Sequence, residues 1–259
     1  MKTKLLLSLA VLACLYSGSL ALQSKKHARA PKQQAGKAAA DASAAPLVCI
    51  DPGHPSEVSS GAEMQNGTSE VHVAWEVALK LRAMLEERGF RVLLTKESES
   101  ELVENRRRAL IANRARAALM IRLHCDASTD AGFAVYYPDR QGTAQGTTGP
   151  AHGVIELSRR AAEAVHAGMR EGLSGLLKDG GLRGDSKTLI GSKQGALTGS
   201  IFSEVPVVTV EMVVLSNTAD AEFIKAAEGQ RLMARSIADG VERFIQTSPG
   251  ASPRGGKRH

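Results

Sequence analysis

The chain of 259 residues has only three cysteines, and neither Cys49 nor Cys125 has a second thiol at the short spacing of a structural zinc site, which argues against a zinc-thiolate fold. Beyond its first residues it also lacks an apolar run of the ~20 residues that a membrane-spanning helix needs. No fixed-period repeat is present, which excludes a solenoid, and no compact H-E-x-x-H motif occurs. A basic surface is missing as well. The net charge of +6 comes from the ends: residues 1–45 hold seven Lys/Arg and one acid, and the stretch from Thr247 holds three Lys/Arg and no acid. Between Pro46 and Gln246 there remain 23 basic and 26 acidic residues, so a nucleic-acid-binding fold is disfavoured.

What is there begins with an export leader. Lys2 and Lys4 precede an apolar run from Leu5 to Tyr16, and Ser19-Leu20-Ala21 supplies the small residues of a cleavage site, so residues 1–21 read as a signal peptide. Lipidation at Cys14 is the alternative. Residues 22–45 form an Ala/Lys/Gln linker without apolar periodicity, residues 46–246 one catalytic-sized domain, and residues 247–259 a basic tail. The basic ends allow loose electrostatic contact with an anionic envelope. A monomer in the periplasm or cell wall is expected. Cys49 and Cys125 stand near the ends of predicted strands and could bridge in an oxidising compartment; two buried free thiols are the preferred reading.

Inside the domain, Val48-Cys-Ile-Asp-Pro-Gly-His54 reads as a buried strand that stops at a turn. A polar loop, residues 55–69, leads to a helix capped by Thr68 or Ser69, with an apolar stripe of Val71, Ala74, Val77, Ala78, Leu81 and Leu85. Further strands are predicted over 90–95, 118–124, 132–137 and 205–214, with a short strand near Leu189. Helices are predicted over 102–117, 155–177 and 220–244. The alternation predicts an α/β fold: one domain with a twisted mixed, largely parallel β-sheet and helices on both faces.

Three residues break the logic of their elements. His54 and His124 each end an apolar strand, and Glu211 interrupts one, where an unpaired carboxylate is costly to bury. Glu70 joins them at a helix N-terminus. In open α/β sheets ligands lie beyond the carboxyl ends of the strands. Two imidazoles and one carboxylate are a set that catalytic zinc favours, and a second carboxylate could take the proton of a zinc-bound water. Each also has a structural explanation: a hydrogen-bonded strand-end histidine, or a glutamate that serves the helix dipole. Asp51 is read as fixing the turn or bonding a ligating histidine. Of Arg106-Arg107-Arg108, most is expected to be solvated, with one member buried against the sheet carboxylates. Arg106 and Asp126 are further supporting candidates. His72 and His152 are read as surface or loop residues.

These residues resemble the zinc-dependent N-acetylmuramoyl-L-alanine amidases of the amidase_3 family, which cleave bacterial peptidoglycan. The resemblance rests on Ile50-Asp-Pro-Gly-His54, Glu70, Asn105-Arg106 through Ala112-Asn113, Ile121-Arg-Leu-His-Cys-Asp126, Val208-Thr-Val-Glu211-Met, and Leu215-Ser-Asn217. It implies His54, Glu70 and His124 as zinc ligands and Glu211 as the catalytic glutamate. The reaction implied is hydrolysis of the amide between N-acetylmuramic acid and L-alanine. The family follows its first histidine with Gly-Gly, where this chain has Pro55-Ser56. It often carries a site-blocking helical insert, for which residues 139–154 are too short and too Gly-rich, so an open site is expected. Two other readings stay open: a silent peptidoglycan-binding or regulatory module, and a zinc peptidase that cuts within the stem peptide.

Overall fold

The structure, a computed structural model, describes residues 45–248. The expected leader, most of the linker and nearly all of the tail lie outside the described residues. In chain order the elements are β1 (Leu47–Pro52), β2 (Met64–Gln65), β3 (Thr68–Ser69), α1 (Glu70–Glu87), β4 (Arg91–Leu94), α2 (Asn105–Arg114), β5 (Leu119–Asp126) and β6 (Phe133–Tyr137). They continue with β7 (Gly142–Ala144), β8 (Thr147–Gly149), α3 (His152–Gly172), β9 (Asp179–Gly184), a 3₁₀ turn (Asp185–Lys187), α4 (Gly191–Gln194) and α5 (Thr198–Ile201). β10 (Val207–Val214), α6 (Thr218–Lys225) and α7 (Ala227–Thr247) complete the domain.

Six strands form the central sheet in the order β4-β1-β5-β10-β6-β9. β4, β1, β5 and β10 are mutually parallel, β6 runs against β10, and β9 is parallel to β6. The expected mixed, largely parallel sheet is therefore present. Because side chains alternate across a strand, each central strand feeds two environments. Val48 and Ile50, Leu119, Ile121 and Leu123, and Val208, Val210 and Met212 enter the large core shared with α1, α3 and α7. Cys49, Met120 and Val207 point the other way, towards Ala112 of α2. Towards the carboxyl ends of the strands this second face turns polar, with Asp51, Arg122, His124, Thr209 and Glu211 in place of apolar residues.

The register aligns these residues. Asp51 of β1 pairs with Arg122 of β5, Arg122 with Thr209 of β10, and His124 with Glu211. Helix α1 then buries Val71, Val73, Ala74, Val77, Ala78, Leu81 and Leu85 against the opposite face, which fixes its first residue, Glu70, beside the strand ends.

Four local expectations are corrected. The strand expected near Leu189 is instead β9, which ends five residues earlier in the glycine-rich stretch; its backbone pairing with β6 overrides a composition that favours turns. Leu189 is 74% exposed. The single closing helix is two, α6 and α7, separated at Ala226, whose backbone is extended (φ −71°, ψ 134°). No proline or glycine stands at that break. The helix expected over 102–117 is shorter, because Val103 is buried ahead of the first turn. The closing helix also runs on to Thr247, past the expected end at Phe244. Cys49 and Cys125 are both buried free thiols. They face opposite sides of the sheet.

Candidate metal centre

His54 reaches the site through a turn that the chain can make only with glycine on either side of it in space. His54 itself has φ +56°, a left-handed conformation that costs an L-residue about 1–2 kcal/mol. A Cβ on Gly53 would lie 2.6 Å from His124 Cε1 and from the Leu123 carbonyl, and one on Gly61 would lie 2.5 Å from His54 Cβ. These two contacts let the β1 turn, the 55–61 loop and the end of β5 meet at one point.

There Glu70 binds both imidazoles. Its Oε1 is 2.9 Å from His124 Nδ1 and its Oε2 is 3.2 Å from His54 Nε2; the Cys125 amide also donates to Oε1 at 3.1 Å. The ligand atoms of His54, Glu70 and His124 all lie within 4.8 Å of one another. His54 Nδ1 is 3.1 Å from the Ser59 carbonyl, which can only accept, so Nδ1 carries the proton. A neutral His54 therefore turns the lone pair of Nε2 towards a carboxylate oxygen. Two acceptors at that separation require a cation between them, a proton or a metal ion.

Charge follows the same geometry. Burial works against ionising Glu70, yet the hydrogen bonds and charges of His124 and His54 outweigh it and hold the carboxyl well below its ordinary range. Burial opposes protonation of His54, but the Glu70 bond and charge raise its pKa overall. At His124 burial wins and the pKa falls, with Arg122 and His54 adding to the effect. This donor set suits a divalent cation of the zinc class, which accepts imidazole nitrogen and carboxylate oxygen together.

Glu211 stands beside this cluster. Its Oε2 is buried and has no hydrogen-bond partner. Burial, reinforced by the charges of Glu70 and Asp126, pushes its pKa well above the ordinary value. Glu211 lines a cavity of about 240 Å³ together with His54, His124, Arg122, Asn105 and Thr209. Ser56 and Val58 of the 55–61 loop and Thr188, Leu189, Ile190, Leu197 and Thr198 of the 188–198 stretch complete its lining. None of residues 139–154 lines it. That stretch holds the β7–β8 hairpin and the start of α3, not an inserted helix of its own.

The supporting residues differ from expectation. Asp51 bonds no histidine: its carboxylate takes Arg108 Nη1 at 2.6 Å, Arg122 Nε at 2.9 Å and the Thr95 hydroxyl. Burial would raise its pKa, but the two guanidiniums and Thr95 hold it far below the usual carboxylate range. Arg106 is exposed, donates to Gln145 and lies over the Phe202 ring. Arg108 is the inward member of the arginine run, because it shares the buried face of α2 with Ala109 and Ala112. Asp126 accepts from the Ala127 amide and reaches Glu211 only through its charge. His72 pairs with Glu99 at the surface, and His152 is the exposed first residue of α3. Sequence reasoning missed Lys96, whose ammonium bonds the His54 carbonyl. Burial, with Arg108 nearby, brings its pKa down to about 8.

A family model described as N-acetylmuramoyl-L-alanine amidase matches residues 48–243, from β1 through most of α7. This chain belongs to that amidase family. It is 28% identical over 232 residues to the N-acetylmuramoyl-L-alanine amidase AmiC of Neisseria meningitidis, covering 78% of this chain and 53% of the relative. It is 28% identical over 194 residues to the amidase Rv3717 of Mycobacterium tuberculosis, covering 73% of this chain and 74% of the relative. The chain thus spans about half the length of the meningococcal relative. Among solved structures it is similar to the amidase AmiC2 of Nostoc punctiforme, with TM-score 0.62, 25% identity, and coverage of 78% of this chain and 97% of that one. The amidase Ami1 of Mycobacterium smegmatis shares the fold, with TM-score 0.64, 22% identity, and coverage of 80% and 99%.

Proposed function

We propose that this chain is a zinc-dependent peptidoglycan amidase that hydrolyses the amide joining the lactyl group of N-acetylmuramic acid to the L-alanine of the stem peptide. The observation that carries the reading is the convergence of ligand atoms of His54, Glu70 and His124 within 4.8 Å of one another, with the His54 Nδ1 proton committed to Ser59. His54, Glu70 and His124 would hold the ion. When bound, zinc supplies a Lewis acid for the scissile carbonyl and an acidified water.

The rest of the reaction falls to the protein. Glu211 takes the proton of the attacking water on a carboxylate oxygen and returns it to the departing alanine nitrogen. Burial and the neighbouring charges of Glu70 and Asp126 favour its protonated form, which is the form that must donate. The charge of Arg122 opposes that trend. Val58, Leu189 and Ile190 line the same cavity as Glu211 and would border the scissile bond of a bound substrate. Membership of a wall-degrading family, together with the basic apolar leader read in residues 1–21, supports action outside the cytoplasm, in the periplasm or cell wall.

The test is mass spectrometry of purified sacculi digested with and without a chelator. Release of peptides with a new L-alanine amino terminus, lost on chelation and in Glu211→Ala, is the expected result. A new terminus at any later residue would make the protein a peptidase, and saturable binding to sacculi without release would make it a silent binding module.

A further inference from the structure

The turn that presents His54 is held by buried cations that bond its backbone carbonyls and none of the ligand atoms of the candidate metal site. Arg108 Nη1 donates to the Pro52 carbonyl at 2.7 Å and Arg108 Nη2 to the Pro55 carbonyl at 2.7 Å, so one guanidinium spans the residues on both sides of the Gly53-His54 pair. Its Nε donates to the Val103 carbonyl at 2.8 Å, and Nη1 also meets Asp51. Lys96 Nζ donates to the carbonyl of His54 itself and, at 2.9 Å, to that of Glu99. The Trp75 ring lies 5.6 Å from the same ammonium. Arg108 is 0% exposed and Lys96 is 2% exposed.

Two buried cations spent on the carbonyls of one four-residue turn is an expensive arrangement, because each must be stripped of water. An apolar plug would bury the turn as well. What an apolar plug would not do is fix the directions of three of the turn's four carbonyls, those of Pro52, His54 and Pro55, which flank and include the left-handed residue His54 and so constrain the line along which its ring leaves the chain. Backbone geometry is thereby specified before any ligand arrives.

We propose that Lys96 and Arg108 are positioning residues that preset His54 towards Glu70 and His124 for metal capture. The inference rests on the zinc reading above and extends it to residues outside the ligand set. The test uses the metal-free protein, with zinc affinity measured by competition against a chromophoric chelator. Apo-protein thermal unfolding and the visible spectrum of the cobalt(II)-loaded form are recorded in parallel. Lys96→Met keeps the chain length and removes the tie; Arg108→Lys keeps charge and removes the fork. His54→Ala serves as the ligand control.

Loss of a group that orients a metal ligand typically weakens binding roughly 10–100-fold. That loss is expected in Lys96→Met, with a changed cobalt spectrum and a folded apo protein. Arg108→Lys should behave likewise, and if it fails to fold, Lys96→Met alone decides. Zinc affinity within about twofold of wild type and an unchanged cobalt spectrum in Lys96→Met, whatever its unfolding temperature, would overturn the proposal while leaving the zinc reading intact. A wild-type protein that binds no zinc, or a His54→Ala variant that binds it as well as wild type, would overturn the zinc reading and this inference with it.

Discussion

Glu211 and His124 are register partners on adjacent parallel strands, and the glutamate's buried Oε2 has no hydrogen-bond partner. A carboxylate held this way is costly to the fold and useful as a proton carrier. Glu211→Gln should therefore lower amide hydrolysis by roughly 10²–10⁴-fold, the usual range for a lost general acid-base group. In the same variant the metal-free protein should unfold at an equal or higher temperature than wild type. Muropeptide release assays and thermal scans check both. A variant that is destabilised yet still active would show that the carboxylate serves packing, not chemistry.

Metal removal should register as stability. Any ligand that binds only the folded state stabilises it, by about 2.7 kcal/mol at a concentration 100-fold above its Kd. For a domain of this size that is roughly 5–10 °C in Tm. Adding zinc to chelator-treated wild type should raise Tm by that order. In His54→Ala, Glu70→Gln and His124→Ala the increment should shrink or vanish. Equal increments in all four proteins would place the ion elsewhere.

Asp185 should make stability depend on pH in the direction opposite to a salt-bridged acid. Burial, with Asp139 nearby, raises its pKa to about 6 against the opposing pull of Ser200, the Leu197 amide and Arg122, and its Oδ1 is unpaired. The unfolded chain releases this proton near pH ~4, whereas the folded chain keeps it to about pH 6. Across that window the native state binds more protons, so its stability falls as pH rises. Above the window a constant cost remains, on the order of 2–3 kcal/mol. Urea unfolding of wild type and Asp185→Asn between roughly pH 4 and pH 7.5 should show the two curves diverging through the window. Parallel curves would mean that Asp185 ionises normally.

Reductant should change nothing. Cys49 packs towards α2 and Cys125 towards the opposite core. Burial raises the pKa of both thiols, so neither offers a reactive thiolate at neutral pH. Unfolding scans with and without dithiothreitol should superimpose. A drop in Tm on reduction would reveal a bridge that this sheet geometry does not allow.

The parts of the site that were legible in the sequence are those that violate a local pattern. His54 and His124 stop apolar strands and Glu211 interrupts one, so each stands out against the two-residue alternation without any knowledge of the fold. Lys96 and Arg108 violate nothing: a lysine after a short strand and the third arginine of a helical run read as solvent-facing. Only the approach of β4 and α2 to the β1 turn buries them. The strand β9 was hidden for a related reason, since Gly180, Gly181 and Gly184 carry no strand preference and its pairing with β6 is long-range. Break points such as Ala226 depend on how α6 and α7 dock, which helical periodicity does not record.

The rim of the cavity is the remaining feature that composition concealed, and it supports a prediction about substrate. Leu189 is 74% exposed, Val58 66% and Ile190 38%, yet all three line the cavity that holds Glu211. Apolar side chains left in water contribute little to folding, since their area is not removed from solvent. On the proposed amidase reading, they would cover the apolar parts of a bound glycopeptide, the lactyl and alanyl methyls among them. Leu189→Ser should therefore raise KM several-fold with kcat within about twofold and Tm within about 1 °C, because a surface substitution away from the core usually changes stability by no more than ~0.5 kcal/mol. Binding that is lost equally in ground and transition states appears in KM alone. A fall in kcat at unchanged KM would instead show that the 188–190 segment orders the reacting groups, and unchanged kinetics would place the substrate against other lining residues, such as Ser56 and Asn105.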